Sequence, residues 1–175
     1  MRPLSTARLR ISPFTLDDAA FIVELLNDPE WLAHIGDRKV RTLDDAQRYL
    51  REGPLASQQR HGFALWAVRR RDSSADAAPI GMCGLIRREG LDDVDIGYAC
   101  MPGARGQGHA REAAAAVLRY GFEHLGLQRI VAITSPDNAP SVRVLESVGM
   151  RYVCRLRLPG RDDESLLYAA TAPQR

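Results

Sequence analysis

The sequence has very little lysine, and its basic residues lack the clustering that a nucleic-acid-binding surface requires. Arginine supplies nearly all of the 24 basic side chains, because Lys39 is the only lysine. The arginines are interspersed with acidic residues, and the formal net charge is only +2. No basic stripe is therefore available to follow a nucleic-acid backbone. We expect a small charged ligand and no nucleic-acid partner.

Cysteine and histidine are also sparse, and neither has the spacing of a metal site. Cys83, Cys100 and Cys154 lie far apart in apolar stretches, which is typical of reduced thiols in a cytoplasmic protein. A nucleophilic cysteine is the alternative, but no histidine lies in a local pattern that would activate one. We therefore expect no bound metal and no disulfide.

Long apolar runs are missing too. No stretch reaches the length of a membrane span, and the first ten residues lack the apolar core of a signal peptide. We expect a cytoplasmic protein with no membrane partner. A chain of 175 residues that is 45% hydrophobic and 26% charged has the size and composition of one globular domain. The prediction is a single domain, residues 1–175, as a monomer or a homodimer.

Apolar periodicity and turn signals predict the element order β-α-α-β-β-β-α-β-α-β-β. The strands are predicted at 7–12, 63–68, 80–87, 94–101, 129–134, 152–158 and 165–170, and the helices at 15–26, 42–52, 108–125 and 139–148. Residues 29–41 are predicted to be irregular, and Gly53 to end the second helix. This order favours an α+β fold: a mixed sheet, antiparallel at first and parallel around the 108–125 helix, with helices on both faces.

A glycine-rich segment, residues 101–110, joins a predicted strand to the 108–125 helix. Gly103, Gly106 and Gly108 allow the backbone to approach a ligand closely. Residues 106–110 contain no Ser, Thr, Asp or Asn that could cap the first helical turn. Backbone N–H groups therefore stay free at the positive end of the helix dipole.

Two arginines, Arg105 and Arg111, add positive charge to this helix start, so the segment predicts an anion site suited to a pyrophosphate. A water-capped turn is the plain alternative. A Walker A loop is excluded because no Gly-Lys-Ser/Thr is present. A dinucleotide fingerprint fits poorly, since Arg111 occupies the place of its third glycine and the strand at 129–134 has no acid at its end.

Two segments of the chain resemble the GCN5-related N-acetyltransferases (GNAT), and within them the ribosomal-protein N-terminal acetyltransferases of RimJ/RimL type. Arg105-Gly-Gln-Gly-His-Ala110 resembles their Arg/Gln-x-x-Gly-x-Gly/Ala pyrophosphate loop. Asn138-x-x-Ser141, followed by Leu145-Glu-Ser-Val-Gly149, resembles the start and body of their next helix. The resemblance extends over almost the whole chain.

The resemblance implies a GNAT fold with six to seven strands and a sheet that is splayed at its centre. It implies acetyl-CoA as co-substrate and an amine acceptor that attacks the thioester directly in a ternary complex, without metal or covalent enzyme intermediate. It also implies contacts to the CoA arm from Asn138, unless that residue only caps its helix, and from the following residues: Cys100, Met101, Arg105, Gly106, Gln107, Gly108, His109 and Ala110. Backbone amides near Cys100 and Met101 would pair with pantetheine and polarise the thioester carbonyl.

Two side chains are candidates for the proton transfers. Asp95 is the candidate base, directly or through water, if it faces the cleft; the alternative is a solvated carboxylate at a strand end. Many GNAT members place a tyrosine seven residues after the position of Asn138, but this chain has Leu145 there. The resemblance makes Ser141 the replacement proton donor for the departing thiolate. The alternative for Ser141 is an ordinary hydroxyl in a first helical turn.

The sequence says less about the residues that would contact the acceptor amine. Trp31 is predicted to form a pocket wall, and Tyr168, on the last strand, to reach the acceptor. Residues 28–41 and 156–164 are expected to line this side, with a mixture of acids and arginines that favours neither a polycation nor an acid: Asp28, Glu30, Asp37, Arg157 and Arg161.

A protein N-terminus, an amino acid, a polyamine and a drug amine therefore all remain as acceptors. A non-catalytic acyl-CoA-binding or regulatory module is the rival function, and its only support is Leu145.

Overall fold

The computed structural model describes residues 3–74, 77–160 and 162–173. In these residues one sheet of eight strands has the order β1-β2-β3-β4-β5-β6-β8-β7. The strands are β1 (Leu4–Ser5), β2 (Leu9–Ser12), β3 (Leu65–Arg70), β4 (Gly81–Ile86), β5 (Val94–Cys100), β6 (Arg129–Thr134), β7 (Arg151–Arg157) and β8 (Glu164–Thr171). The α-helices are α1 (Ala19–Leu26), α2 (Pro29–His34), α3 (Leu43–Leu50), α4 (Ala56–His61), α5 (His109–Glu123) and α6 (Ala139–Ser147).

The sheet is antiparallel from β1 to β5, parallel between β5 and β6, and antiparallel again from β6 through β8 to β7. This confirms the predicted mixed sheet with its parallel unit around α5. The sheet has one strand more than the six to seven predicted. The additional β1 is two residues long, which is too short for an alternating pattern to reveal.

The centre of the sheet is splayed. β5 pairs with β4 from Asp95 to Cys100, which is all of the strand except its first residue. Its pairing with β6 covers only Val94 with Ile130 and Asp95 with Val131. Beyond Asp95, the remainder of β5 therefore separates from β6, and a gap opens in the sheet.

Helices cover both faces, as predicted. On one face α5 packs its small side chains, including Ala113, Ala114 and Val117, against Ile96 and other buried residues of the sheet. On the other face the residues of α1 to α3 form a second buried cluster with the opposite sides of β3 and β4. Burial of these two apolar faces is the main stabilising contribution to the fold.

The position of α5 depends on a close approach to the sheet. A Cβ at Gly121 would lie 2.6 Å from Cδ1 of Ile130. A larger residue here would require the tips of the neighbouring side chains to shift, whereas glycine leaves the close contact between α5 and β6 undisturbed. The close packing of α5 fixes its N-terminus, and with it the glycine-rich segment, beside the end of β5.

Two predictions in the region between α1 and β3 are wrong. The segment predicted to be irregular contains α2, which begins at Pro29 because the Asp28 side chain accepts a hydrogen bond from the Trp31 N–H at 3.2 Å. Gly53 does not end α3. The chain continues through a π-helical turn, Arg51–Leu55, into α4, which ends at Gly62 in a left-handed conformation with φ of 77°.

None of the helices in the described part of the chain combines the length and apolarity that a bilayer crossing requires. Within the same residues, no three His, Cys, Asp or Glu side chains converge as metal ligands would.

Candidate active site

The gap between β5 and β6 opens into a cleft. Its walls are Ile96, Gly97 and Tyr98 of β5 and Ala132–Thr134 of β6, together with residues of α2, of α3 and of the start of α6. Its β5 lining is residues 95–98, which precede the end of the strand that leads into the glycine-rich segment. Splayed parallel strands thus place a cavity where a ligand can reach backbone groups of both strands.

The cleft joins the two faces of the sheet. Successive side chains of β5 alternate between faces: Ile96 and Tyr98 contact the cluster under α5 and α6, whereas Ala99 contacts the cluster under α1 to α3. By this alternation Asp95 lies on the α1 to α3 side and Tyr98 on the opposite side. Groups from both sides line the same cavity.

Asp95 is a buried carboxylate with one oxygen in use. Its side chain is 1% exposed, and its Oδ2 accepts a hydrogen bond from Nε of Arg88 at 2.7 Å. Its Oδ1 has no hydrogen-bond partner among the described residues. The alternative of a solvated strand-end carboxylate is therefore wrong. A buried polar atom without a partner requires an explanation, and proton transfer is one that fits its place in the cleft.

Burial raises the pKa of Asp95 to about 6, against the smaller lowering effects of Arg88 and of the Ile133 N–H. Desolvation penalises the charged carboxylate, and the effects of Arg88 and of the Ile133 N–H only partly compensate. A carboxylate that titrates near pH 6 is ionised at neutral pH and is a stronger base than an exposed aspartate.

Ser141 lies in the first turn of α6, on the α5 and α6 side of the cleft. The Asn138 side chain caps this helix, since its Oδ1 accepts from the Ser141 N–H at 3.1 Å. The Ser141 hydroxyl is 2.9 Å from the hydroxyl of Tyr98, which also donates to the Ser141 carbonyl oxygen at 3.1 Å. Both side chains line the cleft.

Tyr98 is a site residue that the sequence did not reveal as one. Its only local signal is its position on β5, three residues beyond Asp95, where alternation turns it to the opposite face. Leu145 is buried at 1% exposure in the core and cannot act on a ligand. The hydroxyls of Tyr98 and Ser141 are called the hydroxyl pair below, and both belong to residues that line the cleft.

The glycine-rich segment has the geometry that its sequence predicts. Gly108 is the N-cap of α5 and supplies no side-chain cap, so the first N–H groups of the helix stay free. Gly106 and Gly108 adopt left-handed conformations with φ of 72° and 77°. A Cβ at Gly103 or Gly106 would meet nothing within 4 Å, so the space above the loop is open. Free N–H groups at an open helix N-terminus fit a pyrophosphate.

Arg105 makes contacts within the protein that its sequence position did not reveal. Its guanidinium bonds to the buried carboxylate of Asp28 and donates to the Cys100 carbonyl oxygen at 3.1 Å. Its charge is therefore neutralised, and Arg105 ties the loop to the start of α2. Arg111 remains exposed on the first turn of α5.

Arg8, which immediately precedes β2, contacts the loop and was not predicted to do so. It donates to the Gln107 carbonyl oxygen at 2.8 Å and to Glu112 at 2.6 Å. The Gln107 side chain in turn donates to the Gly103 carbonyl oxygen at 2.7 Å, which braces the loop from within.

The backbone N–H groups of Cys100 and Met101, both predicted to contact CoA, point in different directions. The Met101 N–H donates to the Ile80 carbonyl oxygen at 2.9 Å, so its predicted contact to pantetheine is not available. Backbone groups alternate in direction along a strand. The Cys100 N–H therefore points away from β4, toward the gap beside β6.

His109 turns its ring inward. The ring is buried, and its Nδ1 lies 3.1 Å from the Ala104 carbonyl oxygen. A contact to a ligand could come only from its backbone N–H. The same holds for Ala110, which lies in the same first turn of α5.

On the acceptor side Trp31 lines the cleft, as predicted. Its ring is 5% exposed, and its Nε1 donates to the Gly36 carbonyl oxygen at 3.1 Å. Tyr168 is instead a buried core residue whose ring packs edge-on against Tyr152, and the cleft lining does not include it. Its position on β8, under the core, speaks against the predicted contact with the acceptor.

The charged residues predicted for this side are largely engaged elsewhere. Asp28 is bound to Arg105, and Asp37 pairs with Arg41 at 2.7 Å. Arg161 lies outside the described residues. His34 and Arg38, which the sequence did not single out for this role, do line the cleft.

Known proteins share this architecture and sequence. The family described as "Acetyltransferase (GNAT) domain" matches residues 8–151. The "Uncharacterized N-acetyltransferase YnaD" of Bacillus subtilis is 30% identical over 148 residues, which are 85% of this chain and 82% of that protein. A GNAT-family acetyltransferase from Bacillus anthracis has a TM-score of 0.78 at 26% identity, covering 97% of this chain and 98% of that one.

The fold is also that of RimJ from Mycobacterium smegmatis, whose structure is a complex with CoA-disulfide. Its TM-score is 0.70 at 23% identity, over 94% of this chain and 82% of that one. Acetyl-CoA is the acetyl donor that the family uses. The matching family, the relatives and the splayed sheet together show that the chain belongs to the GNAT family and is an acetyltransferase.

Proposed function

We propose that this acetyltransferase moves the acetyl group of acetyl-CoA to a primary amine by direct attack in a ternary complex. One observation carries the proposal. The unpaired oxygen of Asp95 and the hydroxyl pair belong to residues that line the same cleft from opposite sides of the sheet. A base for the amine and donors for the leaving sulfur are thereby available on either side of the position of a thioester.

The loop is proposed to hold the pyrophosphate of CoA. The free N–H groups at the start of α5, together with the open space above Gly103 and Gly106, suit an anion that contacts backbone only. The Cys100 N–H, which faces the gap beside β6, is the proposed donor to the pantetheine arm or to the thioester carbonyl. A backbone donor at that carbonyl would stabilise the oxyanion that develops on attack.

Asp95 is proposed to accept the proton that the amine loses. Its free Oδ1 can accept, and Arg88 holds the other oxygen in place. A protein α-amine has a pKa of about 8 and a lysine amine of about 10.4, so the α-amine costs less to deprotonate. Ser141 is proposed to donate a hydrogen bond to the sulfur as the carbon–sulfur bond breaks.

The charges that line the cleft bear on the acceptor. Among its described lining residues Asp95 is the only carboxylate, and it is paired with Arg88, while His34 and Arg38 are basic. A polyamine or an aminoglycoside would bring further positive charges that no free carboxylate of this lining could meet. A single amine, on a peptide N-terminus or on a small molecule, is therefore the proposed acceptor.

The test is release of free CoA thiol from acetyl-CoA, with the acetylated product identified by mass. The panel pairs short peptides with their N-terminally blocked forms, and adds amino acids, polyamines and aminoglycosides. We expect turnover with free peptides or amino acids, and at least roughly tenfold lower kcat/KM with the polycations. Preference for a polycation would contradict the proposed acceptor class. No acceptor-dependent turnover, with acetyl-CoA still raising the melting temperature, would contradict catalysis itself.

A further inference from the structure

Tyr98 and Ser141 make contact across two elements that are distant in sequence. The Tyr98 hydroxyl lies 2.9 Å from Oγ and 3.1 Å from the carbonyl oxygen of the same serine. The tyrosine ring packs against the cluster under α5 and is held on β5, while Asn138 fixes the first turn of α6. Two rigid elements thus meet at one serine side chain.

We infer that Tyr98 is a positioning residue for the reaction: its hydroxyl holds the Ser141 hydroxyl in the rotamer that faces the cleft and frees the serine proton for the leaving sulfur. This inference rests on the proposed transfer from acetyl-CoA. It assigns a role to a residue that lies on a strand, in a chain whose α6 carries Leu145 in place of a tyrosine.

A serine side chain alone would not keep this geometry. Its χ1 has three staggered wells, and a hydroxyl in a first helical turn can also bond to nearby backbone groups. The Tyr98 hydroxyl limits that freedom because it contacts both Oγ and the carbonyl oxygen of Ser141. The serine is therefore oriented before any ligand arrives.

The single phenolic proton allows two arrangements. When Tyr98 donates to the Ser141 carbonyl oxygen, the phenol oxygen can accept the serine proton. When Tyr98 donates to Oγ, the serine proton is released and can point into the cleft. Only rotation of two O–H bonds separates these arrangements. Negative charge that develops on sulfur favours the second, because it offers the serine proton a stronger acceptor.

The hydroxyl pair donates hydrogen bonds and stays protonated. Burial raises the pKa of Tyr98, so formation of a phenolate is unfavourable. As the carbon–sulfur bond breaks, its electron pair moves to sulfur, which the serine O–H stabilises. The amine gives one proton to Asp95, which later passes it to solvent, and the thiolate takes one proton from solvent, so the sum of the reaction is amide plus free thiol.

The test is a double-mutant cycle of Tyr98→Phe and Ser141→Ala with the best acceptor. Ser141→Ala is expected to lower kcat roughly 100-fold, as loss of a transition-state donor does. Tyr98→Phe, which loses one hydrogen bond, is expected to lower it roughly tenfold. In the Ser141→Ala background Tyr98→Phe should cost nothing further, because Tyr98 acts only through the serine. The KM for acetyl-CoA should stay within about twofold.

Tyr152→Phe is the matched control, since Tyr152 is a half-exposed tyrosine on β7 outside the cleft, and its kcat should not change. An unchanged kcat in Tyr98→Phe, or equal losses in both backgrounds, would overturn the inference while the proposed function stands. A wild-type protein without turnover would overturn both. Melting temperature and acetyl-CoA affinity, measured for every variant, separate a lost fold from a lost hydrogen bond.

Discussion

Replacement of Asp95 by asparagine is expected to lower kcat by about two to four orders of magnitude, the usual contribution of a positioned general base. The substitution keeps the size of the side chain, but an amide cannot take the proton of the amine. Affinity for acetyl-CoA should be nearly unchanged, because the glycine-rich loop is formed by other residues. Steady-state rates with saturating acetyl-CoA, and calorimetry of acetyl-CoA binding, measure the two quantities separately.

The pKa of Asp95 also predicts how the rate depends on pH. Burial raises the pKa of Asp95 to about 6, and only the ionised carboxylate can act as base. The kcat/KM of the wild type, which reports the free enzyme, should therefore fall tenfold per pH unit as pH decreases below about 6. The Asp95→Asn variant should lack this descending limb, whereas deprotonation of the amine itself adds a limb that shifts with the acceptor.

Asp93→Asn is the matched control for Asp95. Asp93 lies two positions earlier in the chain, pairs with Arg129 at 2.6 Å and is outside the cleft lining. Its kcat and pH profile should match those of the wild type. A variant Asp95→Asn that kept a third or more of the wild-type kcat, with the same pH profile, would show that the amine loses its proton to water or to another group.

Replacement of Gly106 by valine is expected to weaken acetyl-CoA binding by at least about 100-fold. A β-branched residue is strained at φ of 72°, at a cost of about 1–3 kcal/mol. Its Cβ would also project into the open space above the loop, where nothing else of the protein lies within 4 Å. Strain moves the free N–H groups, and the side chain blocks their approach to a pyrophosphate. Titration calorimetry with acetyl-CoA measures the loss.

Gly126→Val separates loss of the site from loss of stability. Gly126 lies just beyond the other end of α5, has φ of 66°, and a Cβ there would also meet nothing within 4 Å. Both variants should therefore lose similar stability in thermal unfolding. Only Gly106→Val should lose affinity for acetyl-CoA. Equal affinities in the two variants would refute the assignment of the loop as the pyrophosphate site.

Local features of this chain were predictable from its sequence. The glycine-rich loop was predicted because its determinants, glycines and the lack of a capping side chain, act within a few residues. β6 was predicted with its observed bounds, since a buried strand between a glycine turn and a proline has little freedom. α2 was missed because a helix of six residues is too short for apolar periodicity.

Features that depend on contacts between residues far apart in the sequence were not predictable. The sequence shows the charge of Arg105 but not that Asp28, 77 positions away, neutralises it. It shows Ser141 but not the Tyr98 hydroxyl 43 positions away that contacts it. It also places Tyr168 on the correct strand, but which face of β8 lies under the core is decided by packing against β6 and β7. Such contacts are set by sheet order and register.

The most direct test of transfer in a ternary complex is a set of initial rates in which the concentrations of acetyl-CoA and of the acceptor are both varied. A ternary complex, in which Asp95 activates an amine next to the bound thioester, predicts that the double-reciprocal lines intersect and that acetyl-CoA alone leaves the protein mass unchanged. Parallel lines, together with a protein that gains one acetyl group from acetyl-CoA in the absence of acceptor, would contradict it and indicate a covalent enzyme intermediate.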